Sequence, residues 1–300
     1  MSVTAAYRDI SVRVDPPYHA VELKLRLPVS GRDAWRAISE PPQVERWFGS
    51  LSSELEPGRA ARLDFGDGDF FDLEARHVDP PTRLEYAWRF LGIGPENRIT
   101  WTVDALDECW CEVAVRDEDP ERSRRESLGL ATGWADFLGR LSRFLETGKR
   151  SRYGWREEVD ASIALPVPLA RARSLLDRAS HTWWLPVDCS GLLPGTRFAV
   201  LEHGGLEVQD VQRVDRDTIE LGLGRPDWPQ GTSCVLGLGP RAGGALLEVH
   251  HRGFGDVPLD DSARKELRTC TARTWIGALE RARTHLVPAG RRGLDSLPSS

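Results

Sequence analysis

A chain of 300 residues that is 40% hydrophobic and 29% charged has the length for two full hydrophobic cores. Its formal net charge of -6 argues against a nucleic-acid partner, because phosphate binding needs a basic face. No window approaches about eighteen consecutive apolar residues, so no membrane-spanning segment is expected.

The first segment, Met1 to Asp15, carries charges where a signal peptide would have its apolar stretch. Residues 19 to 28 then alternate, with Val21, Leu23, Leu25 and Leu27 on one face and Glu22, Lys24 and Arg26 on the other, which predicts a half-buried strand. Ser30-Gly31-Arg32-Asp33 opens a helix through Trp35 and Ile38 that Pro41-Pro42 ends. A second short helical turn holds Val44, Trp47 and Phe48. Strand-length segments follow at Arg62 to Phe65, Phe71 to Val78, Arg83 to Phe90, Arg98 to Ala105 and Cys109 to Val115. Turn chemistry separates them at Gly66-Asp67-Gly68-Asp69, Asp79-Pro80-Pro81 and Leu106-Asp107-Glu108. The charged stretch Arg116 to Arg125 reads as a solvated approach to a helix. From Ser127 to Thr147, Leu130, Trp134, Phe137, Leu138, Leu141, Phe144 and Leu145 recur at helical spacing, with Gly148 as the cap.

The plan then repeats. Leu27-Pro28-Val29 recurs as Leu165-Pro166-Val167, and Pro57-Gly58 as Pro194-Gly195. Glu45-Arg46-Trp47-Phe48 recurs within His181-Thr182-Trp183-Trp184-Leu185, with Trp47 matched to Trp184. Val78-Asp79 matches Val214-Asp215, Glu112-Val113 matches Glu248-Val249, and Trp134 matches Trp275. A unit of roughly 140 residues is one complete domain, so the chain is a tandem duplication. The expected organisation is a first domain at 1–148, a linker at 149–157, a second domain at 158–288 and a flexible tail at 289–300. The second copy is expected to hold a strand at Val159 to Leu165, a helix near Ala170 to Leu176, strands to His251 and a helix from Ser262 to Leu286.

Each unit therefore reads as α+β: a strand, short helices, a run of antiparallel strands and one long C-terminal helix. The sheet must bury its apolar face against that helix, and a curved sheet around a helix leaves a cavity between the layers. At Val29 to Trp47, Pro57-Gly58, Arg76 to Tyr86 and Gly133-Trp134 with Leu138 and Leu141, the first copy resembles the SRPBCC (START-like, helix-grip) superfamily. Within it, the resemblance is to bacterial homologues of the C-terminal domain of the heat-shock-protein ATPase activator. The second copy departs at Arg216-Asp217, where the first has Pro80-Pro81, and at Thr274, where the first has Gly133. The resemblance implies two helix-grip domains, each a curved antiparallel sheet wrapped around its last helix, with a tendency to bind apolar ligands. It implies no single reaction.

Among chemistry-bearing residues, Cys109 and Cys111 lie two apart on an expected strand and so share a face, but no further soft ligands complete a metal site. No metal and no cofactor is expected. Five scattered cysteines, an odd number, fit a reduced cytoplasm. Asp64, Asp67, Asp69 and Asp72 lack the ordered ligand series of a calcium loop and read as a solvated hairpin tip. Gly237-Leu238-Gly239 with Gly243-Gly244 opens no helix and reads as a hairpin turn, not a dinucleotide fingerprint. Motifs of ordinary hydrolases, kinases and metalloproteases are missing. Alternation places His250 and Glu248 on one face, opposite Val249 and His251.

Eleven tryptophans is a high count. Those that recur in both copies read as scaffold. Trp88, Trp101 and Trp110 have no counterpart and are the candidate ligand contacts, with Glu74, Arg76 and Arg89 as polar partners. The leading expectation is a binder of a hydrophobic, aromatic or polycyclic small molecule, serving sequestration or self-resistance in bacterial specialised metabolism, with enediyne-type resistance included. The alternative is a polyketide aromatase/cyclase-like enzyme, which needs a pocket acid–base pair: His77 with Glu85, or His250 with Glu248. An ATPase-activating co-chaperone ranks third. No membrane partner is expected, and the sequence sets no expectation for oligomeric state.

Overall fold

The computed structural model describes residues 10–176, 181–184, 193–199 and 205–286. The chain divides into two compact units, residues 1–156 and 157–300.

In the first unit, β1 (Ile10–Arg13) and β2 (Ala20–Leu27) pair antiparallel, with Ile10 opposite Leu25. Val21, Leu23, Leu25 and Leu27 of β2 are all buried, as their alternation predicts. The Ser30 side chain caps α1 (Gly31–Ser39) by accepting from the Asp33 N–H at 3.2 Å. The Pro41-Pro42 pair both ends α1 and opens α2 (Pro41–Trp47), because proline in the first turn of a helix forfeits no hydrogen bond. There follow β3 (Ser50–Leu51), β4 (Ala60–Asp64), β5 (Phe70–Asp79), β6 (Arg83–Phe90), β7 (Glu96–Ala105) and β8 (Cys111–Glu118). The sheet runs β1-β2-β8-β7-β6-β5-β4-β3, antiparallel at every pairing.

The long helix α3 (Arg124–Thr147) starts three residues earlier than its apolar stripe suggests. Ser123 and Glu126 form a reciprocal capping box, and Gly148 ends the helix at φ 64°, a left-handed conformation that glycine adopts without a Cβ penalty. Ala131, Trp134, Ala135, Leu138, Leu141 and Phe144 of α3 are buried in one core with the inner residues of the sheet.

Two charged segments depart from their solvated readings. The Gly66 to Asp69 turn is not a solvated tip: Asp67 is 0% exposed and Asp69 3%. Arg156 reaches back over them, its backbone N–H and Nε donating to Asp67 Oδ2 at 3.0 and 3.1 Å, with Nη2 at 3.1 Å from Asp69 Oδ2. The segment read as a linker thus packs on the first unit through its last residues. Arg152 donates to the Phe65 carbonyl at 2.7 Å and to Ser50 Oγ at 3.1 Å. The second departure is Arg116 to Arg125, whose first residues continue β8 and place Asp117 on the inner face beside a buried Arg122.

The second unit repeats the architecture. Its elements are β9 (Val159–Leu165), α4 (Leu169–Ala172) with a following 3-10 turn at Arg173–Leu176, a 3-10 turn at His181–Trp183, and β10 (Phe198–Ala199). Then come β11 (Glu207–Val214), β12 (Thr218–Gly224), β13 (Thr232–Arg241), β14 (Gly244–Arg252) and α5 (Asp261–Leu286). Its sheet runs β10-β11-β12-β13-β14-β9, again antiparallel. Both units are thus α+β helix-grip domains, each an antiparallel sheet with its inner face on one long C-terminal helix. The tail at 289–300 lies outside the described residues.

Candidate functional site

The inner face of the first unit is aromatic. Strand alternation turns Phe71, Tyr86, Trp88 and Trp101 towards α3, which contributes Trp134 and Phe137, while α2 and its end supply Trp47 and Phe48. Trp88 stacks near-parallel with two rings, Phe71 at 3.8 Å (11° between planes) and Trp134 at 5.4 Å (14°). Trp101 meets both Trp47 and Trp134 edge-on, at 6.2 and 5.5 Å. Phe48 stacks on Trp47 at 4.8 Å and touches Phe137 at 4.5 Å. The sequence predicts a cavity here; the rings fill most of it instead. A cavity of about 20 Å³ remains beside them, between the sheet and α1–α2, bordered by Ile38, Val44, Trp47, Leu63, Tyr86 and Trp101 among others, with neither Trp88 nor any α3 residue in its lining. That is room for about one water molecule.

The indole N–H groups in this interior are mostly satisfied. Trp47 donates to the Ala37 carbonyl at 2.8 Å, Trp101 to Tyr86 Oη at 3.0 Å and Trp134 to Asp117 Oδ2 at 2.9 Å. Trp88 Nε1 has no acceptor among the described residues. Burial pushes the Tyr86 phenol up, so it stays a neutral hydroxyl and a fit acceptor for Trp101. Asp117 also accepts from Arg122, through Nη2 to its carboxylate and through Nη1 to its backbone carbonyl at 3.0 Å. Burial pushes the Asp117 carboxyl up, while the Arg122 guanidinium and the Trp134 N–H favour its charged form.

Strand pairing aligns the two copies residue by residue. Leu27 faces Cys111 and Leu165 faces Ala245, so Asp117 corresponds to His251. The Glu112-Val113 and Glu248-Val249 match is therefore out of step by two residues, a slip that preserves the facing and so cannot be seen in the alternation. By the same pairing, Tyr86, Trp88, Ile99 and Trp101 correspond to Leu221, Leu223, Cys234 and Leu236. The first interior is aromatic where the second is aliphatic. Trp183 donates to the Leu175 carbonyl at 2.8 Å, as Trp47 does to Ala37, so Trp183, not Trp184, is the counterpart of Trp47. Trp184 takes the place of Phe48, packing at 6.3 Å from Trp275 as Phe48 packs at 6.2 Å from Trp134.

His251 is the inward-facing histidine. The Trp275 indole, which can only donate, points its N–H at His251 Nδ1 (3.0 Å), so that nitrogen carries no proton. Nε2 then holds the hydrogen and donates to Thr232 Oγ1 at 2.6 Å, while Thr232 donates onward to the Leu223 carbonyl at 3.2 Å. The second copy thus accepts from its helix tryptophan with a neutral imidazole where the first uses a carboxylate with a counter-charge.

The other polar candidates lie outside. His77 stands opposite Glu85 across β5 and β6, but on the solvent side, where Glu85 pairs with Arg83 at 2.8 Å. A bulge between Ala75 and His77 breaks the alternation and leaves both Arg76 and His77 exposed. Glu74 pairs with Arg76 at 3.1 Å and Arg89 with Glu96 at 2.8 Å, both on the same outer surface. His250 is half-exposed and holds Asp160 at 2.7 Å, with Glu248 3.9 Å away. Neither proposed acid–base pair reaches an interior. Trp110 is 46% exposed at the β7–β8 turn and does not line the aromatic face. Cys109 is exposed in that turn and Cys111 is buried at the start of β8, so the two do not share a face. Burial pushes the Cys111 thiol up to about 11. Among the described residues no group of three His, Cys, Asp or Glu side chains is placed to hold a metal ion, and no helix is long and apolar enough to cross a membrane.

Tyr86, Asp117, Arg122 and Phe71 were not singled out by sequence. Asp117 was legible in principle, since it continues the inward series Val113, Val115.

Comparison with known proteins agrees with this architecture. The family described as "Activator of Hsp90 ATPase homolog 1-like protein" matches residues 28–146. Among solved structures, DynU16, a protein in the dynemicin biosynthetic locus, is 36% identical with a TM-score of 0.79, covering 89% of this chain and 99% of its own. Protein MLL2253 from Mesorhizobium loti is 20% identical with a TM-score of 0.39, over 42% of this chain and 96% of that one. The crystal structure of CalU16 from Micromonospora echinospora is 18% identical with a TM-score of 0.39, over 49% of this chain and 88% of that one. No curated protein matches at a significant level. The helix-grip architecture of both units, the family match to the first and the similarity to DynU16 through most of both chains establish that this chain belongs to the SRPBCC (START-like, helix-grip) superfamily.

Proposed function

We propose that the chain binds a hydrophobic, aromatic or polycyclic small molecule between the sheet and α3 of its first unit. Its role would be sequestration or self-resistance in bacterial specialised metabolism, exercised in the cytoplasm. The observation that carries this reading is the contrast between copies: the shared scaffold tryptophans recur, yet Tyr86, Trp88 and Trp101 are replaced by Leu221, Leu223 and Leu236. Aliphatic side chains suffice to fill the same positions of this fold, so the aromatic set in the first unit serves something besides packing. Stacked rings of two rotatable bonds can exchange ring–ring contact for ring–ligand contact at little cost in side-chain entropy. The similarity to DynU16, which lies in the dynemicin biosynthetic locus, supports the metabolic setting and an enediyne-type ligand.

The aromatase/cyclase reading asks for an acid–base pair in the pocket, and both candidate pairs lie on outer surfaces. Adding fluorene or 9-fluorenone, two planar tricyclic probes, is expected to quench tryptophan emission saturably at micromolar concentration. Mass spectrometry should recover the probe unchanged. Absence of saturable quenching by either probe, with the chain folded by circular dichroism, would refute the binding reading.

A further inference from the structure

We propose that the ligand carries a hydrogen-bond acceptor, as an aromatic ketone or quinone does, and that Trp88 is the residue that selects it. This rests on the binding reading above and adds the chemistry of what is bound. Trp88 is 3% exposed, and its N–H has no acceptor among the described residues. Buried donors are almost always paired, so each exception calls for a physical account. Trp47, Trp101 and Trp134 of the same interior each find an oxygen within 3.0 Å.

Packing alone does not account for the indole, because the second copy fills the equivalent place with Leu223, which makes no polar demand. Nor is the ring loose. Phe71 and Trp134 both stack near-parallel with it, at 3.8 and 5.4 Å. Those stacks orient the ring in the unliganded chain, and a ligand that takes the place of one of them meets an indole whose N–H still lacks an acceptor. A hydrocarbon entering this interior leaves the donor unsatisfied. A planar ligand with a carbonyl oxygen gives it the acceptor that the protein withholds.

Fluorene and 9-fluorenone share one carbon skeleton and differ by a single carbonyl, so they isolate this contact. Wild-type protein is expected to bind fluorenone about tenfold more tightly than fluorene, the size of one net hydrogen bond. Trp88→Phe keeps an aromatic ring but removes the donor; it should erase that preference while still binding fluorene. Trp110→Phe removes the donor of an exposed indole outside this interior, and should retain the preference. In the wild type alone, the carbonyl stretch of bound fluorenone should move to lower frequency than in hexane, a readout that needs no variant to fold. Equal affinity for the two probes, or an unshifted stretch, would overturn the selection by Trp88 and leave the binding reading standing. If neither probe binds, the binding reading itself fails.

Discussion

Trp134→Ala is expected to destabilise the first unit by about 3–5 kcal/mol. The indole is buried, stacks on Trp88, meets Trp101 at 5.5 Å and Phe137 at 6.1 Å, and donates to Asp117. Truncation removes those contacts together and leaves a void bounded by rings that cannot collapse into it without breaking their own stacks. For a unit of this size the midpoint of thermal unfolding should fall by about 10 °C. Trp134→Phe retains most of the ring and loses the donor, and about 1–3 kcal/mol is expected for it. Urea unfolding followed by fluorescence separates the two. Equal losses for the two variants would mean that the hydrogen bond to Asp117, not ring packing, dominates.

Arg122→Ala should cost a comparable amount, about 3–5 kcal/mol, by a different route. Asp117 is 0% exposed and Arg122 5%, so the guanidinium is the counter-charge of a carboxylate that water does not reach. Without it, the carboxyl must either stay charged in an apolar interior or take up a proton, and both lower stability. Adding Asp117→Asn to the same chain removes the charge and should recover at least half of the loss, since a neutral amide oxygen still accepts from Trp134. Denaturant midpoints of the two single variants and the double variant complete the cycle. Purely additive losses would contradict an ion pair between these side chains. The second copy shows the alternative solution: His251 meets the same tryptophan demand with no charge at all.

Much of this architecture is legible in the amino-acid sequence because it follows local rules. The alternation of Val21 to Leu27, the apolar stripe of α3 and the glycine cap at Gly148 each report their own conformation. The duplication is legible for the same reason, since landmarks such as Leu-Pro-Val survive in both copies. What sequence could not show is which charge meets which. Asp67 and Asp69 look like solvated turn residues until Arg156 is seen lying over them. Asp117 and Arg122 sit in a stretch whose composition reads as surface, and only their pairing permits burial. The misplacement of His77 has a geometric cause: one bulge residue in β5 puts Arg76 and His77 on the outside together. Trp88 and Trp101 could be assigned to an inner face, but not the closeness of their packing, because ring stacking depends on partners from β5, α2 and α3 at once.

The central claim is that the aromatic interior of the first unit is where a ligand sits. The most direct test is the indole region of a 1H–15N correlation spectrum, titrated with 9-fluorenone. The Nε1–H resonances of Trp88, Trp101 and Trp134 should shift together with one dissociation constant, while those of the exposed Trp110 and of Trp275 in the second unit stay in place. Shifts at Trp110 alone, or at Trp275 without Trp88, would contradict the account.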